Sequence, residues 1–129
     1  MNHAKLRRIA QQRGLGSLSN DTKWRELIER IDAMAYCPRY RYKCIDSEEH
    51  NTNVGDWYAL PQPFMSIELL DVSCLEELCN GQLLAKKIVD HSAAIESILQ
   101  SIGLAYTRGE SCIRIFGYAP HCETGMETF

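Results

Sequence analysis

The chain has no long apolar run, no glycine-rich phosphate loop, no close cysteine pairs and no excess of positive charge. Each absence removes a class of function. The longest uncharged apolar stretch is far too short to span a bilayer, so no membrane role is expected. The N-terminal Met1-Asn2-His3-Ala4-Lys5-Leu6-Arg7-Arg8 has no apolar run behind its charges, which predicts a cytoplasmic protein without a secretory signal. Neither common phosphate-loop pattern occurs. There is no G-x-S-x-G, and no cysteine lies in a glycine-rich or helix-start context that would lower its pKa. A net charge of −3 and a pI near 5.8 argue against a dedicated nucleic-acid binder.

Cysteine itself is not scarce: six stand at 37, 44, 74, 79, 112 and 122. Without an export signal, reduced thiols are the expectation. Structural zinc needs thiolates in close pairs. The nearest spacing here is Cys74-x4-Cys79, with no second pair, and the adjacent His121 and Cys122 reach one ion awkwardly. Small core cysteines, no metal and no cofactor follow.

The 129 residues suffice for one domain with its own core. Residues 1–20 read as a basic N-terminal arm or short helix, with Leu6, Ile9 and Ala10 on one side, docked or frayed. Residues 21–120 form the domain and 121–129 a tail. Trp24, Leu27, Ile28, Ile31 and Met34 recur at helical period after the capping run Ser19-Asn20-Asp21-Thr22, up to Pro38. Arg39–Ile45 alternates as a strand, with Tyr40, Tyr42 and Cys44 opposite three solvated cations. Asp46 to Asp56 reads as a long acidic loop, Trp57–Leu60 as a short strand and Phe64–Val72 as a central strand apolar on both faces apart from Glu68.

Residues 73–89 are ambiguous: Leu75–Leu78 suggests a helical turn and Leu83–Val89 an extended run. Asp90 caps a helix that ends at Gly103, and strands at 104–107 and 112–118 form a hairpin. The implied fold is α+β, a mainly antiparallel sheet of about 4–5 strands with two or three helices packed on one face.

Among candidate constellations, Asp90-His91-Ser92 has a triad's composition but a cap's geometry. Glu68 and Asp71 stand three apart on a strand, which puts them on opposite faces. Glu68 lies among Ile67, Leu69 and Leu70 and needs a partner when buried; Arg114, in the centre of the last strand, is expected to form a structural ion pair with it. A cleft holding Glu68, His91 and Arg114 is the enzymatic alternative. The basic strand 39–43 puts its aromatics and cations on opposite faces, so it lacks a single face for nucleic acid. Charge is segregated: residues 1–13 carry four cations and no acid, whereas 46–56 carry Asp46, Glu48, Glu49 and Asp56 and no lysine or arginine.

Six pieces in order resemble a family of small bacterial proteins, from about residue 22 to 120. They are Lys23-Trp24-Arg25-Glu26-Leu27, Tyr42-Lys43-Cys44-Ile45, Gly55-Asp56-Trp57-Tyr58, Ser66-Ile67-Glu68-Leu69-Leu70-Asp71, Val89-Asp90-His91-Ser92 and Ile113-Arg114-Ile115-Phe116-Gly117-Tyr118. The segment before residue 20 lies outside that match. Such small solitary domains resemble immunity proteins of polymorphic or contact-dependent toxin systems. The resemblance implies a cytoplasmic, non-enzymatic inhibitor, monomeric or weakly dimeric, whose partner is a cognate nuclease toxin rather than nucleic acid or membrane. An acidic, aromatic patch would block a cationic nuclease cleft, so the expected surface is Asp46, Glu48, Glu49 and Asp56 with Trp57 or Tyr58 as an anchor. A homodimer pairing through an exposed strand is a third possibility.

Overall fold

The computed structural model describes residues 3–54, 56–78, 87–122 and 126, with the side chains of 52–54 left aside. Helix α1 (His3–Arg13) is followed by the two-residue strand β1 (Gly16–Ser17) and helix α2 (Asp21–Asp32). Strands β2 (Arg39–Cys44) and β3 (His50–Val54) make a hairpin. Two 3₁₀ turns, Trp57–Ala59 and Phe64–Ser66, lead into β4 (Ile67–Ser73). Then come β5 (Leu75–Leu78), β6 (Lys87–Asp90), α3 (Ser92–Ile102), β7 (Tyr106–Arg108), β8 (Cys112–Phe116) and β9 (Tyr118–Ala119).

The fold is α+β. Its main sheet has five antiparallel strands in the order β3-β2-β4-β8-β7, and β1-β9 and β5-β6 form separate two-stranded ribbons. Helices α2 and α3 cover one face. Trp24, Leu27, Ile28 and Ile31 of α2 meet Ile95, Ile98 and Leu99 of α3 over Tyr40, Leu70, Val72, Ile113 and Ile115 of the sheet. The helix ends follow local chemistry. The Asn20 side chain accepts from the Lys23 N–H at 2.9 Å. Asp90 accepts from the Ser92 N–H at 2.9 Å, although His91 holds the cap position. Gly103, at φ +86°, closes α3 in the left-handed conformation that a side chain resists.

Helix α1 is docked. Leu6 and Ala10 bury against Ile45 and Tyr118 in a second, smaller core, and Arg13 reaches the face of the sheet away from α2 and α3.

Three local readings are corrected. The acidic loop is shorter than expected, because His50–Val54 is an edge strand paired with β2. Trp57–Ala59 is a 3₁₀ turn, not a strand: the Asp56 carboxylate accepts from the Tyr58 N–H at 3.0 Å, and Pro61 soon ends the segment. Leu75–Leu78 is a strand, not a helical turn. Most of the expected Leu83–Val89 run lies outside the described residues, and Lys87–Asp90 is extended.

Candidate functional site

Strand β4 carries a β-bulge that rearranges the expected ion pairs. Lys43 pairs with Leu69 but Cys44 pairs with Ile67, which leaves Glu68 as the extra residue. Ile67 and Leu70 therefore both face the helical core, and Glu68 and Asp71 share the opposite face. The expected Glu68–Arg114 pair does not form. Arg114 donates to Asp71 through Nε and Nη2 at 2.6 and 2.9 Å, and Arg41 donates to the same carboxylate at 2.6 Å. Glu68 instead accepts from Arg13 at 2.7 Å and Lys43 at 2.8 Å. Arg41 and Lys43 are thus covered and paired rather than solvated. Burial pushes the Glu68 carboxyl up, but the hydrogen bonds from Arg13 and Lys43 together with their positive charges reverse this and hold it below the usual range. Across β2, burial and then Arg41 depress the His50 imidazole.

The Glu68, His91 and Arg114 of the enzymatic alternative have separate partners. His91 Nε2 lies 2.8 Å from Glu76 Oε1, and its ring stacks on Tyr36 at 4.2 Å and 8°. Among the described residues no three His, Cys, Asp or Glu side chains are grouped to hold a metal ion.

The acidic–aromatic set divides into two places. Asp46, Glu48 and Glu49 occupy the β2–β3 turn beside the Lys43–His50 pair, whereas Asp56 follows the Arg39–Val54 pair at the other end. At about 3.4 Å per residue the two ends lie roughly 14 Å apart. The turn also faces cations of α1. Lys5, Ile9, Asp46 and Glu48 line one depression, and Glu48 helps raise the Arg13 guanidinium after the larger effect of its Glu68 bond.

At the other end the turn 57–59 holds one aromatic inward and one outward. Trp57 is fully buried, donating its Nε1–H to the Pro38 carbonyl at 3.0 Å and packing 4.9 Å from the Tyr40 ring. It is core and not a partner contact. Tyr40 is also anchored here: its hydroxyl donates to the Asp56 carbonyl at 2.8 Å, and burial pushes its phenol up to about 12. Tyr58 is 65 % exposed on this braced turn. Desolvation and then the nearby carboxylates of Asp32 and Glu29 raise its phenol. Glu29, Asp32 and Asp56 therefore lie near an outward tyrosine.

Asp32 and Glu29 were not among the expected site residues, yet the sequence carried a signal for them. Both lie in the last turn of α2, where negative charge opposes the helix dipole and costs about 0.3–1 kcal/mol each at an exposed site.

The same end of the molecule has a cavity of about 480 Å³. Tyr36 and Cys37, between α2 and β2, line it with Arg39 at the start of β2 and with Leu75, Glu76 and Glu77 of β5. The Tyr36 hydroxyl braces the walls by donating to the Ser73 carbonyl at 3.0 Å.

No helix among the described residues is long and apolar enough to cross a membrane. No curated protein and no solved structure matches the chain. A protein family does match, over residues 6–122, and it takes in most of helix α1, which the resemblance starting near residue 22 leaves out. The chain belongs to the family of unknown function DUF6678.

Proposed function

We propose that this protein is a non-enzymatic inhibitor that binds and neutralises a cognate protein toxin in the cytoplasm, with a cationic nuclease cleft as its target. The observation that carries the proposal is Tyr58, an exposed aromatic on a capped turn with Glu29, Asp32 and Asp56 nearby. A tyrosine left 65 % exposed buries little of its ring on folding. It suits a contact that buries an aromatic anchor while its acidic rim meets cations. The Asp46–Glu49 turn is a weaker candidate because Lys5 and Arg13 of α1 partly neutralise it.

The test uses the tagged full chain as bait, in its host and with the product of the neighbouring upstream gene expressed. One stoichiometric partner released as salt rises, and lost with Tyr58→Ala, is the expected result. A partner retained equally by the Tyr58→Ala bait would remove this surface. No partner at all would overturn the inhibitor reading.

A further inference from the structure

One edge of the main sheet is unguarded. Strand β3 ends the order β3-β2-β4-β8-β7, and no described strand lies beyond it. Sheet edges are ordinarily protected against pairing by charges, proline or a bulge. His50–Val54 contains no lysine, arginine, acid or proline, and it meets β2 at five successive pairs without a register shift. The opposite edge differs. Strand β7 has three residues, and its Arg108 is tied to Ser92 at 2.7 Å and Glu96 at 3.3 Å.

The direction of the main chain along β3 follows from its neighbours. Ile45 donates its N–H to the Ser66 carbonyl at 2.8 Å, on the β4 side. Alternation back along β2 turns Lys43 and Arg41 toward β4, and Tyr42 and Tyr40 toward β3. The far side of the sheet agrees. Phe116 donates to the Ala105 carbonyl at 2.9 Å, on the β7 side, so Ile115 turns to Leu70 of β4, and Asp71 in turn faces Arg41. The Tyr42–Asn51 and Tyr40–Asn53 pairs therefore exchange the hydrogen bonds of the β2–β3 hairpin. His50, Thr52 and Val54 direct their N–H and C=O groups away from the sheet.

Those three positions are self-complementary. A second β3, antiparallel about a two-fold axis at Thr52, puts Thr52 opposite Thr52 and His50 opposite Val54. Every outward residue then meets an outward residue of the other copy, and each facing pair exchanges two hydrogen bonds. No lysine, arginine or acid within the strand repels its copy. We propose that two copies of this chain pair through β3, joining two five-stranded sheets into one. The dimer goes beyond the inhibitor reading and does not rest on it. The contact is short, it joins two chains of net charge −3, and it brings the acidic turn 46–49 of each copy toward Asp56 of the other. Dimerisation is therefore weak and strengthens as salt rises, opposite in sign to the toxin contact.

Sedimentation equilibrium of the full chain reads assembly, and amide hydrogen exchange of the ¹⁵N-labelled chain reads location. The expected mass rises from 14.7 kDa toward twice that value between about 10 µM and 1 mM, and further at high salt than at low. The amides of His50, Thr52 and Val54 should gain protection with concentration, whereas those of Asn51 and Asn53, already bonded to β2, should not change. Thr52→Pro removes an outward donor and no bond to β2, so it should stay monomeric with an unchanged circular dichroism spectrum. If that variant does not fold, the amide readout decides alone. A wild type that stays at 14.7 kDa, a dimer that leaves the three outward amides unprotected, a dimer that loosens as salt rises, or a folded Thr52→Pro that pairs as wild type does overturns the proposal. Protection that appears only when the toxin is added assigns the edge to that partner and overturns the dimer.

Discussion

Removing the Glu68 carboxylate should destabilise the fold far more than removing Arg13, although both residues belong to one ion pair. The Glu68 and Lys43 side chains are only 6 % and 7 % exposed, whereas Arg13 is 36 % exposed. Glu68→Ala leaves a buried ammonium without its acceptor, a loss of about 3–5 kcal/mol. With an unfolding entropy of about 2.1 cal/mol/K per residue, 129 residues give roughly 0.27 kcal/mol/K, so Tm should fall by about 11–18 °C. Arg13→Ala keeps the Glu68–Lys43 pair and loses a partly screened contact, about 1 kcal/mol or ~4 °C. Adding Lys43→Met to Glu68→Ala removes the stranded charge and should restore at least about half the loss. Thermal and urea denaturation followed by circular dichroism measure all four proteins. Equal losses for Glu68→Ala and Arg13→Ala, or no recovery in the double variant, would refute the bulge-centred ion network.

The same network makes stability fall in acid. Glu68 is held below the usual carboxylate range in the folded state, so its contribution is present above that range and lost as pH falls through the folded value. The His50 imidazole is also depressed, with Arg41, Lys43, Arg114 and Asp71 around it. The unfolded chain therefore takes up that proton first, and stability starts to drop below about pH 6.5. Urea midpoints measured from pH 7 to 4 should decline throughout, and His50→Asn should flatten the upper part. A midpoint that rises on acidification contradicts both signs. Gly117 crosses the bulge closely: its N–H donates to the Glu68 carbonyl at 2.8 Å, and an added Cβ would collide with the Ile67 carbonyl. Gly117→Ala should cost about 1–3 kcal/mol, read as a lower urea midpoint; an unchanged midpoint would show that the backbone yields there.

Much of this architecture is legible in the residues because apolar periodicity and capping act locally. Trp24, Leu27, Ile28 and Ile31 mark α2, and Asp90 and Gly103 bracket α3. The largely apolar run around β4, interrupted by Glu68 and Asp71, marks a strand covered on both sides. What stays hidden depends on partners distant in sequence. His50-Asn51-Thr52-Asn53 has no apolar alternation, and only pairing with β2 makes it a strand. The bulge at Glu68 moves two carboxylates to one face, so counting by twos assigns Arg114 the wrong acid. The aromatic pair at 57 and 58 divides into core and surface as an alternation argument requires, but through a 3₁₀ turn capped by Asp56. Glu29 and Asp32 are readable as acids at the wrong end of a helix; their approach to Tyr58 is visible only in three dimensions.

The central claim is that Tyr58 and its acidic rim hold a toxin, and affinity for the purified upstream gene product tests it most directly. Isothermal titration of wild type, Tyr58→Ala and the Glu48→Lys/Glu49→Lys double variant compares the two acidic sites under one condition. The account predicts one-to-one binding, weakened about 30-fold to 1,000-fold by Tyr58→Ala, as for a loss of about 2–4 kcal/mol at a central anchor. The turn variant should shift affinity less. Binding unchanged by Tyr58→Ala but abolished by the turn variant would place the interface at the other end of the hairpin and contradict the account.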